Sequence, residues 1–213
     1  MIIGISGRIG SGKDTVGQII QYLTSGSKDK FESWCLCHLK SDKKWQIKKL
    51  ADKLKECAAI IFDIPRKDFE SIDVKNSLIG DDWGDITYRK FLQLFGTGVG
   101  RSIHENFWVN ALFSDYKPID RRTQQDPDDS NITYPNWIIT DVRFPNELKA
   151  IMDRGGITIR MDRNSGMPSD HCSETALDNA IFDYHIHNSS TTIDRLISIV
   201  KDILIMEHII IKD

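Results

Sequence analysis

Residues 4–16 read Gly-Ile-Ser-Gly-Arg-Ile-Gly-Ser-Gly-Lys-Asp-Thr-Val and follow directly on an apolar Met1-Ile2-Ile3. From Gly7 the spacing is G-x-x-x-x-G-K, closing on Gly12 and Lys13, with Gly10 and Ser11 inside it. Glycines at such positions let backbone N–H groups turn inward around phosphate oxygens, where side chains would block the approach. Lys13 supplies a cation for the outer phosphates. A helix starting near Asp14 aims its partly positive end at the same anion. Strand, loop and helix in that order are the context such a motif requires. One position is irregular: Asp14 stands where Ser or Thr is usual, and Thr15 follows it.

Outward from this stretch, strands and helices alternate. The pattern predicts strands over Met1–Ser6, Trp45–Leu50, Trp137–Thr140, Ile157–Met161 and Asp183–His187, with Phe31–Leu39 either a strand or part of a surface insertion. Helices are predicted from Asp14 to Leu23 and from Asp52 to Phe62. Another is capped by Thr87 and stopped by Gly96. Further helices run over Ile103–Phe113, from Pro145 to Gly155-Gly156, and from a Ser190 or Thr191 cap to Met206. Such alternation implies an α/β fold, with a mostly parallel sheet covered on both faces. The polar, breaker-rich stretch 116–136 reads as an exposed loop.

The composition is that of an ordinary soluble domain, 40% hydrophobic and 28% charged over 213 residues. This length suits one domain with a small inserted lid. A formal charge of −3 argues against a broad nucleic-acid-binding face. No apolar run approaches the ~20 residues of a membrane span, and the N-terminus lacks a signal-peptide pattern. A cytosolic location follows as the expectation, with the four cysteines as reduced thiols. Cys35 and Cys37 lack the second ligand pair a zinc site needs and read as alternating residues of a half-buried strand.

Ligands of open α/β sheets collect at the carboxyl ends of strands, which selects three groups. The first is the Gly7–Thr15 loop. The second is Asp141-Val142-Arg143 after the Trp137–Thr140 strand, where Asp141 can hold Mg²⁺ through water and can also cap the helix near Pro145, the two roles being compatible. The third is a set of arginines: Arg89, Arg143, Arg160 and Arg163. Transfer of a phosphoryl group to an existing phosphate needs no strong base but does need cations that hold two anions together. The guanidinium fork suits that task, although any one arginine can equally be a surface ion pair. His185 and His187 share the face opposite Ile186 and read as structural. His171, in Asp170-His171-Cys172-Ser173-Glu174, has no nucleophile elbow beside it.

Several stretches together resemble the deoxynucleoside monophosphate kinases of bacteriophages and related viruses. They are Gly7–Thr15 with its Gly-Lys-Asp-Thr ending, Ala51–Glu56, Thr87–Thr97 (TYRKFLQLFGT), Phe107-Trp108-Val109, Ile138–Glu147 (IITDVRFPNE), Gly155-Gly156 and His171–Leu177 (HCSETAL). The resemblance implies a three-layer P-loop kinase fold with a five-stranded core and a lid near 163–176. It implies transfer of the γ-phosphoryl of ATP, with Mg²⁺, to a deoxynucleoside monophosphate, in the host cytoplasm if the protein is viral. Carried onto these residues, Lys13 and the loop around Gly7, Gly10, Ser11 and Gly12 would bind ATP, and Asp14 or Thr15 would serve the metal. Arg89 would hold the acceptor with Lys53 nearby, Arg143 would bridge donor and acceptor, and Arg163 with His171 would belong to the lid. Asn164-Ser165-Gly166 departs from the expected pattern after Arg163.

Other small-molecule kinases share this architecture. The phosphomevalonate kinase of animals tolerates Gly-Lys-Asp in its loop, and dephospho-coenzyme A kinase has the same fold. A nucleotide sensor without transfer is the reading from a different class, motivated by the displaced hydroxyl at position 14. The base accepted and the oligomeric state, a homodimer included, stay open at this level.

Overall fold

A computed structural model of the chain describes residues 1–37, 44–119, 133–162, 175–189 and 192–211. Arg163, His171 and nearly all of the expected lid lie outside the described residues, as does the middle of the 116–136 loop. The chain divides into two compact units, Met1–Lys48 with Lys117–Asp213, and Lys49–Tyr116.

The first unit is built on five parallel strands: β1 (Ile2–Gly7), β2 (Trp45–Lys48), β3 (Asn136–Val142), β4 (Ile157–Asp162) and β5 (Tyr184–His187), in the order β2-β3-β1-β4-β5. The central strands are rich in isoleucine and buried along nearly their whole length, as strands covered on both faces must be. Ile3 and Ile5 of β1 point into the main core, together with Ile138, Ile159, Met161 and Ile186. Helix α1 (Lys13–Ser25) covers that face with Val16, Ile19 and Ile20, and α9 (Ile193–Met206) covers it with Leu196, Val200 and Leu204. On the opposite face α8 (Pro145–Met152) presents Ile151 to Gly4, where a side chain on β1 would collide with it. Buried Gln21 of α1 donates to the Trp45 carbonyl at 2.7 Å, tying the helix to the edge strand β2.

Phe31–Leu39 was expected as a strand or insertion. Its described part is a helix, α2 (Phe31–Cys37). Phe31 and Trp34 are its buried pair, three residues apart, and Tyr22 meets both edge-on. That spacing belongs to a helix face, and it outweighs the weak alternation of Cys35 and Cys37. The ends of the long loop meet where Ile119 donates to the Thr133 carbonyl at 2.7 Å. The last helix is capped by Thr192 rather than Ser190 or Thr191, its hydroxyl accepting from the Arg195 N–H.

The second unit is helical: α3 (Ala51–Phe62), α4 (Ile72–Asn76), α5 (Tyr88–Gln93), α6 (Gly100–Ile103) and α7 (Phe107–Phe113). Thr87 caps α5 as expected, its hydroxyl accepting from the Lys90 N–H. Gly96 does not stop the helix. The chain widens into a π-type stretch over Leu94–Val99 and runs on into α6. A Cβ on Gly96 would meet Leu54, and one on Gly100 would meet the Trp108 indole. The indole N–H donates to the Gly96 carbonyl at 2.7 Å. The glycines serve close packing here, not termination. Phe62 meets Trp83, Tyr88 and Phe91 edge-on, and Phe69, fully buried, meets Tyr88. Phe69 and Trp108 are therefore core residues of this unit. Among the described residues no helix is long and apolar enough to cross a membrane.

Candidate active site

The carboxyl ends of β1, β3, β4 and β5 surround the Gly7–Thr15 loop. Two glycines give it its shape. Gly7 has φ +155, and a Cβ there would lie 2.8 Å from the Met161 carbonyl of neighbouring β4. Gly12 has φ +97, and its Cβ would lie 2.9 Å from Asn188 Nδ2. Both strain and space exclude L side chains at these points. Gly12 is also the N-cap of α1 and, being glycine, offers no side-chain cap, so the N-terminus of α1 opens directly from the glycine loop. Ser11 is fully buried, and among the described residues its hydroxyl has no hydrogen-bond partner.

Side chains from the strand ends hold this loop. Asn188, directly after β5 and itself buried, donates to the Ser11 carbonyl at 3.0 Å. Thr140 of β3 donates to Asp14 Oδ1 at 2.8 Å. Lys13 Nζ donates to the carbonyls of Gly7 and Arg8 at 2.6 and 2.7 Å, so its ammonium lies across the loop. Thr15 sits half-buried in the first turn of α1. Gly10 takes a left-handed φ of 74 between them.

Asp141 and Arg143 follow Thr140 at the end of β3. Glu147 caps the start of α8: its Oε2 accepts from the main-chain N–H groups of Arg143 at 2.7 Å and Phe144 at 3.0 Å. Pro145 opens the helix as expected. Asp141 lies on β3, next to the residue that holds Asp14.

Arg160 behaves differently from the other arginines. It is buried on β4, donating to Ser6 Oγ at 3.0 Å and to Asp178 Oδ1 at 2.7 Å. Asp178 also accepts from Arg8 of the loop at 3.0 Å. One carboxylate therefore joins the loop to β4, a role absent from the reading of the sequence alone. His185 and His187 face Asp162, with Nδ1 atoms 3.0 and 3.6 Å from its Oδ2.

Arg89 and Lys53 belong to the helical unit. Arg89 Nε donates to Asn76 Oδ1 at 2.8 Å. Lys53 is engaged by Asp115 at 2.8 Å and Glu56 at 3.5 Å, and the hydrogen bond to Asp115 holds its ammonium above the ordinary lysine value. That bond ties α3 to the end of α7.

Thr140, Asn188, Arg8 and Asp178 were missed because their roles depend on which strands lie side by side. Thr140 and Asn188 carried a signal, as polar residues at the carboxyl ends of strands.

Two comparisons bear on this arrangement. Residues 32–200 match the family profile described as deoxynucleotide monophosphate kinase. A protein of Acanthamoeba polyphaga mimivirus, provisionally named a deoxynucleotide monophosphate kinase, is 29% identical over 140 residues, covering 61% of this chain and 67% of that one. The profile match starts beyond the loop, so the loop's geometry is a separate observation.

Proposed function

The chain belongs to the deoxynucleotide monophosphate kinase family, and from that premise we propose that it moves the γ-phosphoryl group of ATP onto a deoxynucleoside monophosphate. The observation that carries the residue assignment is the Gly7–Thr15 loop, whose glycine backbone, uncapped helix start and cross-loop ammonium suit a triphosphate.

In this reading the loop amides between Gly7 and Gly12 cradle the phosphates of ATP, and Lys13 leaves its carbonyl partners for the β- and γ-phosphate oxygens. Asp14, Thr15 and Asp141 are hard oxygen donors of the kind Mg²⁺ takes, one or two carboxylates alongside phosphates and waters. Bound there, Mg²⁺ supplies positive charge to the β- and γ-phosphates.

Arg89 holds the acceptor's phosphate. Its oxygen is already anionic and attacks the γ-phosphorus directly. A new P–O bond forms, the bond to the β–γ bridging oxygen breaks, and ADP departs with that electron pair. The protein's task is to offset charge. Arg143, at the end of β3, stabilises the phosphoryl group in transit, while Arg163 and His171 act in the lid. Buried Arg160 has its guanidinium committed to Ser6 and Asp178 and shapes the site from behind.

Steady-state kinetics of two variants test the division of roles. Lys13→Ala is expected to lower kcat by a factor of about 10³. Arg89→Ala is expected to raise KM for the deoxynucleotide far more than KM for ATP. Equal effects of Arg89→Ala on both substrates would contradict the assignment.

A further inference from the structure

Helix α4 ends on Lys75 and Asn76, and the start of α5 returns alongside it. The Tyr88 N–H donates to the Ser77 carbonyl at 3.2 Å, and Leu78 and Thr87 pair as an antiparallel bridge. This return brings Arg89 Nε onto Asn76 Oδ1. Among the described residues, the two terminal guanidinium nitrogens of Arg89 have no hydrogen-bond or ion-pair partner. Neither has the Lys75 ammonium, which is half-buried.

Three neighbouring cations of the unit are matched by acids. Lys53 pairs with Asp115 and Glu56, Lys55 with Glu70, and Arg66 with Asp52 and Glu70. Lys75 instead feels the like charges of Lys55, Arg89 and Lys49, opposed by that of Glu70. Glu70 is already held by Lys55 and Arg66 at 2.6 to 2.9 Å. Burial, and then the charges of Lys55 and Arg89, push the Lys75 ammonium below its ordinary value. A half-buried cation packed among cations is costly unless an anion joins it.

We propose that Lys75 and Arg89 form one site for the phosphate of the acceptor nucleotide, with Asn76 as the residue that positions the Arg89 fork. The inference rests on the monophosphate kinase reading above. Asn76 fixes the guanidinium through Nε, so the paired terminal N–H groups are presented together, as bidentate phosphate recognition needs. Lys75 adds a point charge beside the fork. Lys53, which the resemblance placed near the acceptor, is a strut between α3 and α7 in this arrangement.

The test is calorimetric titration of the full chain with dAMP, dCMP, dGMP and dTMP in the absence of ATP. Lys75→Met is expected to weaken the accepted deoxynucleotide by about 10- to 100-fold, and Lys75→Arg to restore most of the affinity. Lys149→Met, which removes a surface lysine paired with Asp153, is the charge-matched control and should bind normally. Asn76→Ala should raise KM for the deoxynucleotide while leaving KM for ATP and the melting temperature in place. If the wild-type chain phosphorylates a deoxynucleotide and Lys75→Met binds it equally well, this site is wrong and the function stands. If the wild-type chain binds none of the four, both are wrong.

Discussion

The Thr140 hydroxyl donates to Asp14 Oδ1 at 2.8 Å, joining the irregular position of the glycine loop to the middle of the sheet. Thr140 is buried, while Asp14 is exposed at the start of α1. The aspartate that replaces the usual hydroxyl residue is therefore oriented from behind by a hydroxyl on β3. It remains part of the loop's design.

Thr140→Val keeps the side chain's shape and removes that donor. Asp14, exposed, can hydrate, so the fold should lose no more than about 1 kcal/mol. Loss of a residue that orients a ligand typically costs about tenfold or more. KM for ATP should rise by about that factor at limiting Mg²⁺, with KM for the deoxynucleotide unchanged. Parallel rises in both would mean the variant had damaged the fold.

Gly12→Ala places a Cβ on a left-handed residue, at about 1–2 kcal/mol for the conformation alone, and drives it against Asn188. Asn188→Ala relieves the collision but leaves the Ser11 carbonyl without its donor. The double variant should therefore be more stable in urea than the sum of the single losses. Strict additivity would show that the two residues do not touch.

Asp178 accepts from two arginines in different settings. Arg160 is buried, whereas Arg8 is largely exposed. Exposed pairs contribute about 0–1 kcal/mol, while removing the partner of a buried charge costs roughly 3 kcal/mol. Double-mutant cycles should give a coupling of at least about 2 kcal/mol for Arg160 with Asp178, and less than about 1 kcal/mol for Arg8 with Asp178. A reversed order would mean that the loop arginine, not β4, holds Asp178.

Burial by itself would raise the Glu70 carboxyl, but hydrogen bonds from Arg66 and Lys55 and their charges prevail and hold it at about 2, below its ordinary 4.5. A lowered carboxyl contributes stability that is complete above 4.5 and is lost as pH falls from there through about 2. Glu70 is half exposed, so the contribution is modest. Thermal melts of the wild-type chain should show a decline across that window which Glu70→Gln lacks. Identical pH profiles would remove Glu70 as its source.

The readable parts of the chain were those whose cause is local. The isoleucine run at 2–5, the glycine spacing after it, the Thr87 cap and Pro145 each act within a few residues of themselves, and each stands where expected. Gly96 and α2 went differently because their causes lie elsewhere. Gly96 stays within a continuing helical stretch because Leu54 and Trp108 press on it, and α2 is a helix because Tyr22 and the core accept Phe31 and Trp34 together. In the site, the loop itself was legible. Its supports Thr140, Asn188 and Asp178 were not, since each reaches it across a strand pairing that only the folded sheet creates.

The central claim is that phosphate moves from ATP to a deoxynucleoside monophosphate at the Gly7–Thr15 loop. Phosphorus-31 NMR of the full chain with ATP, Mg²⁺ and each of the four deoxynucleoside monophosphates tests it directly. The account predicts that ADP and a deoxynucleoside diphosphate appear in equal amounts with at least one acceptor, and that neither appears with Lys13→Ala. Tight ATP binding with no diphosphate from any acceptor, or undiminished transfer by Lys13→Ala, would contradict it.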